Sequence, residues 1–357
     1  MNKKQAIILG ATGAAGQNIV EFTAVHPWFE IACLSGSERS HNKSYREATS
    51  AAAFFREEPP KEIMEMKVVG ADHVDPRDYD VAFSALPSEI AKIQEAKFGK
   101  HIPVISTASA YRYEEDTPVL LPDVNPTHIE MIDGQRKKRG WNGYIVPGPN
   151  CTTIGLVTSL KPLLDTYGVD TVSMVSMQSL SGAGEKGLRA DSEYRLNAVK
   201  NVIPLIEGEE GKVVKETNKI LGNMLDGKLV DASINIHATC TRVDVEIVHT
   251  EAVHLGLGKA ASIDEIRKTL NGYRSEAQLL KLPSVAEQPI IVVEEADGPQ
   301  PKKHGDYPKM VTLVGRLREN PIFRNGVSYV LTSDNLEKGA GGGAVLSAEY
   351  LKVKGLL

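Results

Sequence analysis

Gln5-Ala6-Ile7-Ile8-Leu9, followed at once by Gly10-Ala11-Thr12-Gly13-Ala14-Ala15-Gly16, decides the fold of this chain. The first five residues form a short apolar run, suited to a strand buried on both faces of a parallel sheet. The glycines then turn the chain and let its backbone approach a ligand closely, while Ile19, Val20 and Phe22 continue as a helical pattern. A diphosphate held at such a turn meets the unpaired N–H groups of the helix N-terminus. The spacing is GxxGxxG rather than GxGxxG, and glycines in this pattern also occur in purely structural turns. Its place between a first strand and a helix, with more β/α alternation behind it, favours a dinucleotide cradle. Gly10, Thr12, Gly13, Ala14, Ala15 and Gly16 are the expected contacts.

Working outward, a second strand is expected at Phe29–Leu34. An NAD site usually carries Asp or Glu after this strand to bind the ribose hydroxyls. Here Ser37, Arg39 and Ser40 follow, with Lys43 nearby. A guanidinium and hydroxyls suit a 2′-phosphate, so the cofactor expected is NADP. Further strands are read at 66–69, 80–84 and 103–106, with a helix at 90–98 between the last two. Ser84 and Leu86 lie in the turn after the 80–84 strand, at the sheet edge where open α/β folds bind ligands. Stretches 120–126 and 144–146 complete a Rossmann-type domain over 1–149.

The pattern then changes. Long strands are read at 171–180, 232–243, 245–257, 289–294 and 310–317, with helices at 209–221 and 263–272. This predicts an α+β second domain, 150–335, on a mostly antiparallel sheet. Helices cover one face of such a sheet, and a second copy of the chain is a natural cover for what stays open. The polar 299–309 stretch reads as a loop. A closing helix at about 344–353 is expected to lie in a segment, 336–357, that returns to the first domain.

Chemistry enters at Pro147-Gly148-Pro149-Asn150-Cys151-Thr152-Thr153. A strand feeds a Pro/Gly turn, and an apolar helical pattern follows through Leu156, Leu160 and Leu163. Cys151 thus falls at a helix start, where free N–H groups and the helix dipole favour a thiolate and could hold an oxyanion. A buried, inert cysteine is the competing reading. Farther on, Arg242 and His249 lie seven residues apart; on one continuous strand that odd spacing puts them on opposite faces, unless 243–245 bends.

Composition sets outer bounds. At 357 residues the chain exceeds one ordinary core, which argues for two domains. A formal net charge of −5 gives no sign of a nucleic-acid surface. No apolar run approaches the roughly 20 residues that cross a bilayer, and no signal-peptide pattern opens the chain. Three scattered cysteines (Cys33, Cys151, Cys240) do not read as a disulfide framework, so a cytoplasmic setting with reduced thiols is expected. No close His/Cys spacing calls for a metal.

Taken in order, Gly10–Gly16, Ser37–Ser40, Pro149-Asn-Cys151, Gln178 with Ser181-Gly-Ala-Gly184, Gly208-Glu-Glu-Gly-Lys212, the Cys240–Glu251 stretch and Asp334-Asn335 resemble the aspartate-semialdehyde dehydrogenases, particularly their archaeal and fungal branch. The resemblance runs from about residue 5 to the C-terminus. It implies NADP-dependent, phosphate-consuming oxidation of L-aspartate 4-semialdehyde to L-4-aspartyl phosphate through a cysteine thioester. The biosynthesis of lysine, threonine, methionine and isoleucine uses the reverse direction. It makes Cys151 the nucleophile, His249 the acid/base and Gln178 the group that orients the acyl carbon. It assigns the substrate carboxylate to Arg242, its amino group to Glu209, and phosphate to Arg112 and Lys212. Asn150 positions the thioester, Ser181 and Gly182 bind the cofactor, and Asn335 lies near the nicotinamide. A homodimer or homotetramer is implied. One departure stands out: where the family has a short Gly-Tyr-Pro-Gly-like loop, this chain has the longer, charged Glu185–Arg195, with Arg189 and Arg195 read as solvated. Related malonyl-CoA or succinyl-CoA reductases, N-acetyl-glutamyl-phosphate reductase and a non-catalytic NADP-binding regulator are the competing functions.

Overall fold

The computed structural model describes residues 2–357. Its N-terminal half is a six-stranded, wholly parallel sheet of β1 (Lys4–Leu9), β2 (Phe29–Gly36), β3 (Val68–Gly70), β4 (Val81–Ser84), β5 (Pro103–Ser106) and β6 (Tyr144–Pro147), in the order β3-β2-β1-β4-β5-β6. Ala6 to Leu9 and all of β4 are buried, as their unbroken apolar runs require. The order reverses between β1 and β4, so the loops leaving these two strands diverge and open a crevice at their carboxyl ends. The glycine turn and helix α1 (Ala14–Ala24) lie there.

The second sheet is mixed and mostly antiparallel. It is built from β7 (Val169–Gln178), β8 (Val202–Ile203), β11 (Asn235–Val243), β12 (His249–Leu257), β13 (Ile290–Val292), β14 (Thr312–Asn320) and β15 (Gly326–Ser333), in the order β13-β14-β15-β12-β7-β11-β8. A small hairpin, β9 (Asn223–Leu225) with β10 (Lys228–Val230), stands apart. Residues alternate along β7: Val172, Met174, Ser176 and Gln178 are buried, while Val175 is exposed and Ser173 and Met177 are half-buried. The buried side rests on the long helix Cys151–Tyr167, whose Ile154, Leu156, Val157, Leu160 and Leu163 join the core. The opposite side stays partly open.

Several expectations need correction. The third strand begins two residues later than read, and 120–126 contains no strand. β15 is a strand that the sequence reading lacks, although Val327, Tyr329 and Leu331 alternate with smaller residues. Most consequentially, 245–257 is not one strand. Residues 244–248 form a turn pinned by main-chain bonds from Leu180 and Ser181 to Val245 and Glu246, and Val248 takes a φ of 76°. Arg242 therefore ends one strand and His249 begins the next.

After a π-helical turn (Glu337–Gly341), the helix Gly342–Val353 lies against the first sheet's elements. The Gly341 amide donates to Asn18 Oδ1 at 2.8 Å and Tyr144 Oη to the Leu356 carbonyl at 3.0 Å. Fully buried Lys338 ties the halves together through Asp123 Oδ2 (2.8 Å) and the Met310 carbonyl.

Candidate active site

Register brings the pieces together. β11 runs parallel to β7 with Arg242 opposite Gln178; β12 runs antiparallel to β7 with Thr250 opposite Met177, and His249 opposes Ser333 of β15. Gln178, Arg242 and His249 consequently share one end and one face of the sheet, beside the start of the Cys151–Tyr167 helix. The seven-residue spacing that seemed to separate Arg242 from His249 is reconciled by the turn between them.

Cys151 Sγ lies 3.3 Å from His249 Nε2. On the far side of the ring, Nδ1 accepts from the Ser179 amide at 3.1 Å. A main-chain N–H can only donate, and this contact favours a neutral ring protonated on Nε2, the atom that faces sulfur; Nδ1 also lies 3.0 Å from Ser179 Oγ, a contact in which either atom can donate. Ser179 is in turn held by Asn335, whose Oδ1 accepts from Ser179 Oγ (3.0 Å) and from the Val248 amide (3.0 Å). Asn335 Nδ2 donates to Ser181 Oγ at 2.9 Å. Asn335 and Ser181 thus anchor the histidine's support. Gly182 is a glycine because a Cβ there would sit 2.7 Å from Arg242 Nη1 and 2.8 Å from His249 Cε1.

Asn150 caps the helix, its Oδ1 accepting from the amides of Thr152 (2.9 Å) and Thr153 (3.4 Å). Both donors serve the cap, the Thr152 amide also facing the Cys151 sulfur, and the expected oxyanion use of them is withdrawn. Asn150 Nδ2 donates to Glu209 Oε1 at 2.8 Å, and Gln178 Nε2 reaches the same oxygen at 3.4 Å. Burial first, then the Glu209 charge, push the Cys151 thiol up to about 12 against the pull of Arg242 and Arg112. Burial, with Arg242 beside it, holds His249 down to about 3. Both directions run against the thiolate expected from the helix start and favour a neutral thiol facing a neutral imidazole in the ligand-free protein.

Arg112 is buried, donating from Nη1 to Glu216 Oε1 (3.2 Å) and from Nη2 to the Thr107 carbonyl (2.8 Å), and its Nε–H has no partner among the described residues. It lines the same cleft as Cys151, Ala14, Ala15, Gly182 and Asn335. Lys212 stands at the edge, its side chain 37% exposed and 3.4 Å from Glu209. Glu216, Ser179 and Tyr194 are site-building residues that the sequence reading missed. Glu216 Oε2 accepts the Asn150 amide at 2.6 Å, which locks the turn before the nucleophile. Its signal was available, since Glu209 and Glu216 are two helical turns apart and share a face.

The glycine turn fits a dinucleotide. Gly10 has a φ of 77° and no room for a Cβ, which would meet the Ala85 carbonyl oxygen at 2.8 Å. A Cβ on Gly16 would run into the Gly10 carbonyl. No side chain caps α1, so its first amides are open to a phosphate. Thr12 accepts from Gln17 through its carbonyl, and Leu86 packs beside Gly10. The Ser84 hydroxyl is turned inward, donating to buried Glu95 at 2.7 Å. Ser37 and Arg39 are exposed in the short turn after β2, with Ser40 buried beneath them.

A profile described as "Semialdehyde dehydrogenase, NAD binding domain" matches residues 5–132, and one described as "Semialdehyde dehydrogenase, dimerisation domain" matches residues 160–338. The aspartate-semialdehyde dehydrogenase of Archaeoglobus fulgidus is 42% identical, with 96% of each chain covered. The malonyl CoA reductase (NADP) of Metallosphaera sedula is 34% identical, covering 99% of this chain and 98% of its own. The crystal structure of aspartate semialdehyde dehydrogenase with NADP from Candida albicans superposes with a TM-score of 0.89 at 32% identity, each chain fully covered.

Proposed function

The chain belongs to the aspartate-semialdehyde dehydrogenase family, and we propose how its own residues carry that activity. It is an NAD(P)-binding oxidoreductase of amino-acid biosynthesis with a dimerisation domain. The observation that supports the assignment of roles is the 3.3 Å approach of Cys151 to His249 in a cleft shared with Arg112 and bordered by Arg242 and Glu209.

In the biosynthetic direction, Arg242 holds the carboxylate of L-4-aspartyl phosphate in a forked pair, Glu209 faces its ammonium, and Arg112 holds the phosphate with Lys212 at the rim. Gln178 and Asn150 align the acyl carbon. The Cys151 sulfur bonds to that carbon, the carbon–oxygen bond to phosphate breaks, and the thiol proton leaves with the phosphate as hydrogen phosphate. His249 Nε2–H stabilises the oxygen that gains charge, then gives its proton to the sulfur that departs as the carbonyl re-forms and is itself reprotonated from water, which restores the neutral thiol. Bound NADPH supplies the hydride that takes the thioester to the aldehyde. Gly10 to Gly16 cradle its diphosphate, Ser181, Gly182 and Asn335 border its nicotinamide, and Ser37, Arg39 and Ser40 select the 2′-phosphate.

We place the domain boundary at 149/150, with 336–357 belonging to the first domain. A second copy covers the open side of β7, β11 and β12, around Val175, Met177 and Thr241, giving a homodimer or a pair of dimers. Free Cys33, Cys151 and Cys240 suit a reducing, cytoplasmic setting.

The test compares L-aspartate 4-semialdehyde with phosphate, N-acetyl-glutamate semialdehyde with phosphate, and malonyl-CoA with NADPH. The first is expected to give the highest kcat/KM, and Glu209→Gln to raise KM only for the substrate bearing a free amino group. Better turnover of malonyl-CoA, or an equal effect of Glu209→Gln with and without the amino group, would overturn the substrate assignment.

A further inference from the structure

The charged segment Glu185–Arg195 is the stretch that departs from the family pattern, and it is neither a loop nor wholly solvated. It folds into two short helices, Glu185–Leu188 and Glu193–Ala198, the second capped by Ser192 accepting the Arg195 amide at 3.0 Å. Arg189 is solvated, its ion-pair partners among the described residues being Asp191 and Glu185. Arg195 is not. Its guanidinium donates to Glu246 (2.8 and 3.2 Å) and to the carbonyls of Gly187 and Leu188. Glu246 lies in the turn joining β11 to β12, so the segment is fastened across the ends of the two strands that carry Arg242 and His249. Gly187 packs onto the Leu180 carbonyl, leaving no space for a Cβ.

What this fastening holds in place is Tyr194. Its hydroxyl accepts from Arg242 Nε at 3.0 Å, and the Lys186 ammonium lies 4.7 Å from its ring centre. Arg242 is 2% exposed, and its second contact is from Nη1 to the Ser179 carbonyl at 2.6 Å. Both partners are neutral acceptors. They fix two edges of the planar guanidinium without cancelling its charge, and among the described residues nothing takes up Nη2 or the second Nη1 hydrogen. A buried cation so arranged gains most from an anion that completes the fork. A carboxylate at position 194 would supply that anion from the protein itself and compete with the substrate.

We propose that Tyr194 is a positioning residue for substrate recognition: it sets the plane of Arg242 for the α-carboxylate, and the charged 185–195 segment exists in this chain to hold it. This rests on the reading of Arg242 as the carboxylate site. Tyr194→Phe removes the acceptor and keeps the ring. KM for L-aspartate 4-semialdehyde is expected to rise about tenfold, the scale of one hydrogen bond to a charged group, with kcat changed less than about threefold. KM for phosphate and the thermal midpoint are expected to hold. KM for 3-aminopropanal, which lacks the carboxylate, is expected not to move. In an Arg242→Ala background the tyrosine substitution should add nothing, because the two act as one unit. Arg195→Ala, which loosens the clasp but leaves both partners intact, should give a smaller rise in the same KM alone. A Tyr194→Phe enzyme with unaltered KM, with an equal loss on 3-aminopropanal, or with a full effect persisting beside Arg242→Ala overturns the proposal. If instead Arg242→Ala leaves the carboxylate-bearing substrate unaffected, the carboxylate assignment itself has failed.

Discussion

Two helices in this molecule start in the same way, after a buried parallel strand and a glycine-bearing turn, and they use their N-termini oppositely. At α1 the residue before the helix is Gly13, no side chain caps it, and its amides remain for a phosphate. At the Cys151–Tyr167 helix the residue before is Asn150, whose side chain takes the Thr152 and Thr153 amides. The first start is a binding site made by leaving donors free. The second is a rigid platform made by engaging them in a cap, where burial and the Glu209 charge outweigh the pull of the Thr152 amide on the thiol. Beneath it, Glu209 and Glu216 hold Asn150 by side chain and main chain.

That contrast can be broken most easily at the thiol. With Cys151 held up to about 12, its thiolate fraction climbs tenfold per pH unit across the neutral range. Iodoacetamide labelling of the Cys151 peptide in ligand-free protein is expected to accelerate about a hundredfold between pH 7 and 9. A rate that levels off near neutrality would mean a standing thiolate–imidazolium pair, and the platform description would fall.

The open helix start is tested through its cofactor. Arg39→Ala is expected to weaken NADPH binding by about 1.5–3 kcal/mol, the scale of a charge-assisted hydrogen bond, and to leave NADH binding nearly unchanged. Titrations of both cofactors decide it, and equal losses would remove Arg39 from 2′-phosphate recognition.

The smallest effect is expected from the cap itself. Asn150→Ala should cost about 1 kcal/mol of stability, and up to about 2 if the buried Glu209 is left poorly satisfied, read from denaturant unfolding. Gly13 has no such cap to lose. Gly13→Ala, at a φ of −78° where a Cβ would make ordinary contact with the Gly10 carbonyl oxygen at 3.6 Å, is expected to leave stability within about 0.5 kcal/mol while weakening NADPH.

How much of this was legible in the residues follows the same division. The cofactor half is written locally: strand, glycine turn and helix fit within Lys4–Ala24, and buried parallel strands announce themselves as apolar runs. The catalytic half is written across the chain. Cys151, Arg242 and His249 could be named from their motifs, yet their convergence depends on the 244–248 turn, where Val248 has a positive φ that its β-branched side chain disfavours. Ser179 and Tyr194 act through a main-chain amide and a phenol brought in by tertiary contacts, which no spacing encodes. The thiol's protonation was misread because burial and Glu209, both tertiary, outweigh the local dipole.

The central claim is that Cys151, set on this capped platform, forms the covalent bond to the acyl group. Rapid mixing of the enzyme with L-aspartate 4-semialdehyde and NADP⁺ in the absence of phosphate tests it directly. The account predicts a burst of about one NADPH per site, then near-arrest until phosphate is added. The aspartyl group should be recovered on the peptide containing Cys151, and Cys151→Ala should give neither burst nor label. Steady NADPH formation without phosphate, or a burst that survives Cys151→Ala, would contradict it.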